Sequence, residues 1–165
     1  MKLAARTKRF FVVALIVLSP SITFGQAVIL RSGTTSLSVE SKFGTANVVI
    51  QTNRRDGENG GVSSLPQNQG RSYTAIKDLN ISVNNHPVFV ARSVFADLVA
   101  PREASLRFAG NRFVLEILGG DASESYFLHI DFDNKEVNRR TYYSALVPDK
   151  PTQETYYWSR VLEDE

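Results

Sequence analysis

Residues 105–118 constrain the fold more tightly than any other stretch of this chain. Gly110-Asn111 has the composition of a two-residue type II′ hairpin turn, with glycine at the position that needs a positive φ. That turn sets Phe108 opposite Phe113 and Leu106 opposite Leu115. Side chains alternate across a strand, so all four share one face, Ile117 extends it, and Ser105 and Arg107 fall on the other. Turn chemistry and hydrophobic alternation agree on the register. A hairpin with one apolar face needs a second layer to cover it.

The period of two recurs. Leu37 and Val39 alternate with Ser36, Ser38 and Glu40, while Leu79, Ile81 and Val83 alternate with Asn80 and Ser82. A second hairpin follows the first. Tyr126, Leu128, Ile130 and Phe132 form its apolar face, residues 133–136 its turn and 137–143 its return strand. With Asn134 and Lys135 as the loop residues, Phe132 faces Val137. The opposite face then pairs Asp131 with Asn138, His129 with Arg140 and Phe127 with Tyr142. That register turns Arg140 and Tyr142 outward and Tyr143 toward the core.

Three further stretches complete the pattern. Residues 93–100, with Ser93 as cap and Pro101 as stop, predict one short helix. Residues 155–162 fit a strand or a helical face, and their β-branched and aromatic content favours the strand. Residues 53–72 hold five Gly/Pro and almost no large apolar side chain, which predicts a long mobile surface loop. The expected fold is mainly β: an antiparallel β-sandwich or barrel-like domain built from hairpins, with one short helix.

The N-terminus predicts export. Lys2, Arg6, Lys8 and Arg9 precede nine apolar residues, Ser19-Pro20 breaks the run, and Gly25-Gln26-Ala27 offers small residues for cleavage. Residues 1–27 are therefore expected to be a cleaved signal peptide and 28–165 a single β-rich domain. A membrane is involved only if the charge-free stretch from Phe10 to Leu30 stays uncut. Residues 1–27 carry four of the 19 basic residues and no acidic one, so 15 basic and 17 acidic residues remain, a net charge of −2. That balance gives no basic footprint for nucleic acid. The chain has no cysteine. This excludes a disulfide framework, a cysteine nucleophile, a thiolate metal site and a lipid anchor on a cleavage-site cysteine. The expected location is periplasmic or secreted.

Catalytic and metal motifs are weak. Asp131-Phe132-Asp133-Asn134 begins like a calcium loop but lacks the later glycine and glutamate. His86 and His129 have no nucleophile elbow near them. No catalytic residue, metal or cofactor is expected. The candidate binding residues fall in two groups. Arg139, Arg140, Tyr142, Tyr156 and Trp158 are of the types that dominate protein interfaces, and the aromatic ones also stack on sugars. Ser123, Ser125 and Tyr126 belong to the connector 119–126, whose two glycines permit unusual backbone angles. This Ser-rich loop ending in Tyr is similar to the inhibitory loop of bacterial periplasmic lysozyme inhibitors. The resemblance covers these eight residues and implies a loop that enters a partner's cleft. The expected function is an exported, non-enzymatic binding domain with a protein partner, of inhibitor or immunity type. The alternatives are a carbohydrate or cell-envelope binding module and, behind it, an uncharacterised hydrolase.

Overall fold

The alternating segments form strands where their periods end. The computed structural model describes residues 27–55 and 72–158. The segment expected to be a signal peptide, apart from Ala27, and positions 56–71 of the expected loop lie outside those residues. Among the described residues, β2 (Gly33–Ser41), β3 (Gly44–Arg55), β4 (Tyr73–Val83) and β5 (His86–Val88) form one sheet in that order. The other sheet runs β1 (Val28–Ile29), β6 (Pro101–Ala109), β7 (Arg112–Gly119), β8 (Tyr126–Phe132), β9 (Val137–Ser144) and β10 (Gln153–Tyr156). All neighbours are antiparallel. Both sheets are meanders, except that β1 and its neighbour β6 are separated in the chain by the whole of the smaller sheet. Neither closes into a barrel, and their apolar faces share one core, so the fold is sandwich-like.

The first hairpin has the register its turn demands. Phe108 pairs with Phe113, Leu106 with Leu115, and Gly110 takes φ +63° while Asn111 stays out of the positive-φ region, as a II′ turn requires. Leu106, Leu115 and Ile117 are at most 1% exposed, each contributing about 1.5–3 kcal/mol over an exposed side chain. Without a disulfide, such burial holds the fold together. Phe43, Phe108, Phe113 and Phe132 extend it as a chain of ring contacts with centroids 5.1–5.6 Å apart.

A bulge explains the apolar spacing in β4. Gln51 pairs with Asp78 but Thr52 pairs with Ile76, which leaves Lys77 as an extra, exposed residue. Ile76 and Leu79, three apart, therefore both point into the core.

The helix expected over 93–100 is replaced by a single 3₁₀ turn, Arg92–Val94, followed by hydrogen-bonded turns. Ser93 makes no capping bond. Eight residues are too few for a helix to stand on propensity alone, and tertiary demands take over. Val94, Phe95 and Leu98 are buried in the core. Val99 bridges to Ala75, and the Ala100 N–H donates to the Thr74 carbonyl at 2.7 Å. Residues 53–55, expected in the loop, instead extend β3. The ambiguous C-terminal segment begins as the edge strand β10, while residues 159–162 lie outside the described residues.

Candidate functional site

Asp133 sets the register of the β8–β9 hairpin. Its Oδ1 accepts the backbone N–H groups of Lys135 (2.8 Å) and Glu136 (3.1 Å), and its Oδ2 accepts Nδ2 of Asn138 (3.2 Å). Burial alone would raise this carboxyl, but those bonds outweigh it and hold the pKa below the ordinary aspartate value. The acids of this turn are thus used to build it. Phe132 faces Val137 as expected, but Asp131 faces Arg139, so Asn138 is a bulge.

That one extra residue reverses the faces of β9. The pairs are Asp131–Arg139, Ile130–Arg140, His129–Thr141, Leu128–Tyr142 and Phe127–Tyr143. Arg140 and Tyr142, expected outside, face inward with Ile130 and Leu128. Tyr143, expected inside, shares the outer face with Arg139. A one-residue slip moves every later side chain across the sheet.

A buried arginine needs a partner. Arg140 is 3% exposed, and its Nη2 donates to Oδ2 of Asp97 at 2.7 Å. Nη1 donates to Oε1 of Gln153 at 3.2 Å, and Nε has no partner among the described residues. The guanidinium lies 5.8 Å from the centre of the Tyr142 ring. Tyr142 in turn stacks on Tyr126, with centroids 5.2 Å apart and planes 23° apart. The Tyr126 hydroxyl donates to the Val99 carbonyl at 3.2 Å. Burial pushes both tyrosine pKa values up, so both hydroxyls stay protonated and available as donors.

These side chains form one wall of a cleft of about 480 Å³ at one end of the sandwich. The 3₁₀ turn Ala122–Glu124 forms a second wall, and residues 72–74 and 97–100 form the remainder. The walls are tied to each other through the backbone. The Gly120 N–H donates to the Ala100 carbonyl at 3.0 Å, and Ala100, Gly120 and Ala122 have φ of 49°, 76° and 44°. Non-glycine residues with positive φ are costly, and they concentrate where a surface must keep a particular shape.

Of the eight candidate residues, Ser123, Tyr126 and Tyr142 line this cleft, and Arg140 lies behind Tyr142. Ser125 is half-buried at its margin, where its carbonyl accepts the Ala145 N–H. Arg139 and Tyr156 are not in the cleft. Arg139 is on the outer face, 2.6 Å from Asp131 and 3.6 Å from Glu154, and Tyr156 pairs across from it. Trp158 lies beyond β10, 74% exposed. Asp97, which completes the site, was not anticipated. It lies 43 positions from Arg140, and no local pattern links the two.

His129 is on the outer face, its Nε2 3.5 Å from Glu116, which also accepts Arg107 and Ser105. Burial favours the neutral imidazole, and with Arg107 and Arg139 it outweighs the pull of Glu116 and Asp131, so the pKa falls below 6.5. Folding disfavours the imidazolium. The stabilisation is complete above about pH 6.5 and is lost as pH falls through the lowered folded value. His129→Gln is expected to lose less stability than the parent between about pH 7 and about pH 5, read from urea midpoints. Equal losses would remove His129 as the source.

The chain matches no protein-family model, no curated protein and no solved structure. Among the described residues, no group of three or more His, Asp or Glu could hold a metal ion, and no helix is long and apolar enough to cross a membrane.

Proposed function

We propose that this chain is an exported binding domain, periplasmic or secreted, that receives part of a partner protein in the Tyr126–Tyr142 cleft, as an inhibitor or immunity factor would. The observation that carries this reading is the convergence of Ser123, Tyr126 and Tyr142 in one concavity of about 480 Å³, within the size range of specific ligand sites. The export signal expected at the N-terminus supports the location. The connector resembling an inhibitory loop lines the cleft, which supports a partner segment entering this chain over the connector entering the partner.

The absence of cysteine supplies a clean test. A photoreactive label on Ser123→Cys sits in the cleft, and one on Tyr143→Cys sits on the outer face. Incubated with cell-envelope extract, the first is expected to give a discrete protein adduct and the second none.

One observation favours a second reading. Tyr156, the last residue of β10, and Trp158 just beyond it are 59% and 74% exposed, as stacking platforms for an envelope polysaccharide would be. In that case the chain sediments with the polysaccharide, and Trp158→Ala abolishes it.

A further inference from the structure

We propose that the outer face of the smaller sheet docks a neutral polysaccharide chain through an uncharged grid of hydroxyl and amide side chains. This goes beyond the cleft reading and does not depend on it.

The register of β2, β3 and β4 builds the grid. Ser38, Asn47 and Ser82 stand side by side, as do Ser36, Val49 and Asn80, and Thr34 with Gln51. Their neighbours Leu37, Val48 and Ile81 are buried in the core, so the grid positions point outward. β2 and β3 pair without a register shift, and β3 and β4 shift only beyond Gln51. The side chains therefore repeat about every 4.8 Å across the strands and about every 7 Å along them. The first two rows lie toward the β2–β3 turn, away from Arg55, the last described residue of that strand. None of these side chains ionises. The charges of the face stand at its margins, Glu40 beside that turn and Lys77 and Asp78 at the bulge. The outer face of the larger sheet is the opposite: it carries Arg107, Glu116, His129, Asp131, Arg139 and Glu154.

The hydrogen-bonding capacity of this grid is unspent. Among the described residues, the side chains of Thr34, Ser36, Ser38, Asn47, Gln51 and Ser82 bond to no other protein group, and Asn80 uses only its Nδ2, on Asp78 at 2.9 Å. Hydroxyls and amides both donate and accept, as the hydroxyls of a sugar do. Val49, in the middle of the grid, and Pro87, beside Ser82, offer apolar contact for the C–H groups of a sugar ring. Other classes of partner fit less well. An acidic or basic polymer finds no counter-charge, and an apolar surface would strand these polar groups at a cost for each. A neutral polyhydroxyl chain exchanges bonds to water for equivalent bonds and desolvates no charge.

The test is native electrophoresis of the purified chain through gels containing hydroxyethylcellulose, galactomannan, arabinoxylan or glycol chitin, with alginate as the anionic comparison. At least one neutral polymer should retard the chain, and alginate should not. Asn47→Ala with Asn80→Ala should weaken the interaction about tenfold, the loss of two amide contacts. Ser38→Glu, at an exposed position, places a charge in the grid and should abolish retardation at an unchanged urea midpoint. Trp158→Ala should leave retardation intact. Retardation by none of the neutral polymers, equal retardation by alginate, or full retardation of both grid variants overturns the proposal. Loss with Trp158→Ala alone also overturns it and moves the polysaccharide to the end of β10. A dimer split by Ser38→Glu, with no retardation of the parent chain, gives the face to a second copy of the chain instead. The Ser123→Cys adduct is read separately, so the cleft reading stands or falls on its own.

Discussion

Phe132→Ala is expected to lower the unfolding free energy by about 3–5 kcal/mol, the usual cost of emptying a large aromatic site in a packed core. Phe132 is fully buried, pairs with Val137 beside the turn and stacks on Phe113 at 5.6 Å. It stands where β7, β8 and β9 meet, so the cavity opens in the sheet that carries the cleft. A domain of this size has about 5–15 kcal/mol in total, so the variant should unfold at much lower urea concentration. Phe127→Ala, on the outer face and 39% exposed, should shift the midpoint little. Comparable losses at both positions would mean that the two faces of β8 are not divided as described.

Gly119→Ala should cost about 1–3 kcal/mol, although it adds a single methyl group. A Cβ at Gly119 would overlap Cζ and Oη of Tyr126. That ring has no easy retreat, because its hydroxyl bonds the Val99 carbonyl and its face lies on Tyr142. The added methyl must push a cleft wall out of place, so partner binding is expected to fall with stability. Adding Tyr126→Leu removes the obstructing ring. The double variant should therefore be more stable than the sum of the two losses predicts, by about 0.5–3 kcal/mol. Simple additivity in urea unfolding would show that glycine is not kept at 119 to make room for Tyr126.

What was legible in the sequence follows from how locally each feature is determined. The 105–118 hairpin was legible to the residue because its turn chemistry and its alternation are independent signals for one register. The second hairpin carried the same alternation on β8, and its apolar face is as expected. Its return strand was misplaced by one residue because Asn138 is a bulge, held by a side-chain bond to Asp133 that no periodicity announces. The candidate site inherits both outcomes. Arg140 and Tyr142 belong to it, but from the inner face, and Arg139 does not. The helix expected over 93–100 had a cap and a stop but no tertiary information. Its apolar residues plug the core from a turn. Asp97 became visible only when the fold carried it across to Arg140.

The most direct test of a cleft-bound partner is the adduct yield from the Ser123→Cys chain in cell-envelope extract, with and without Tyr142→Ala. The expected result is one protein adduct from Ser123→Cys, lost when Tyr142→Ala is added and absent from Tyr143→Cys. An adduct that forms as well from Tyr143→Cys, or that survives Tyr142→Ala undiminished, contradicts it and moves the binding surface to the outer face of the larger sheet.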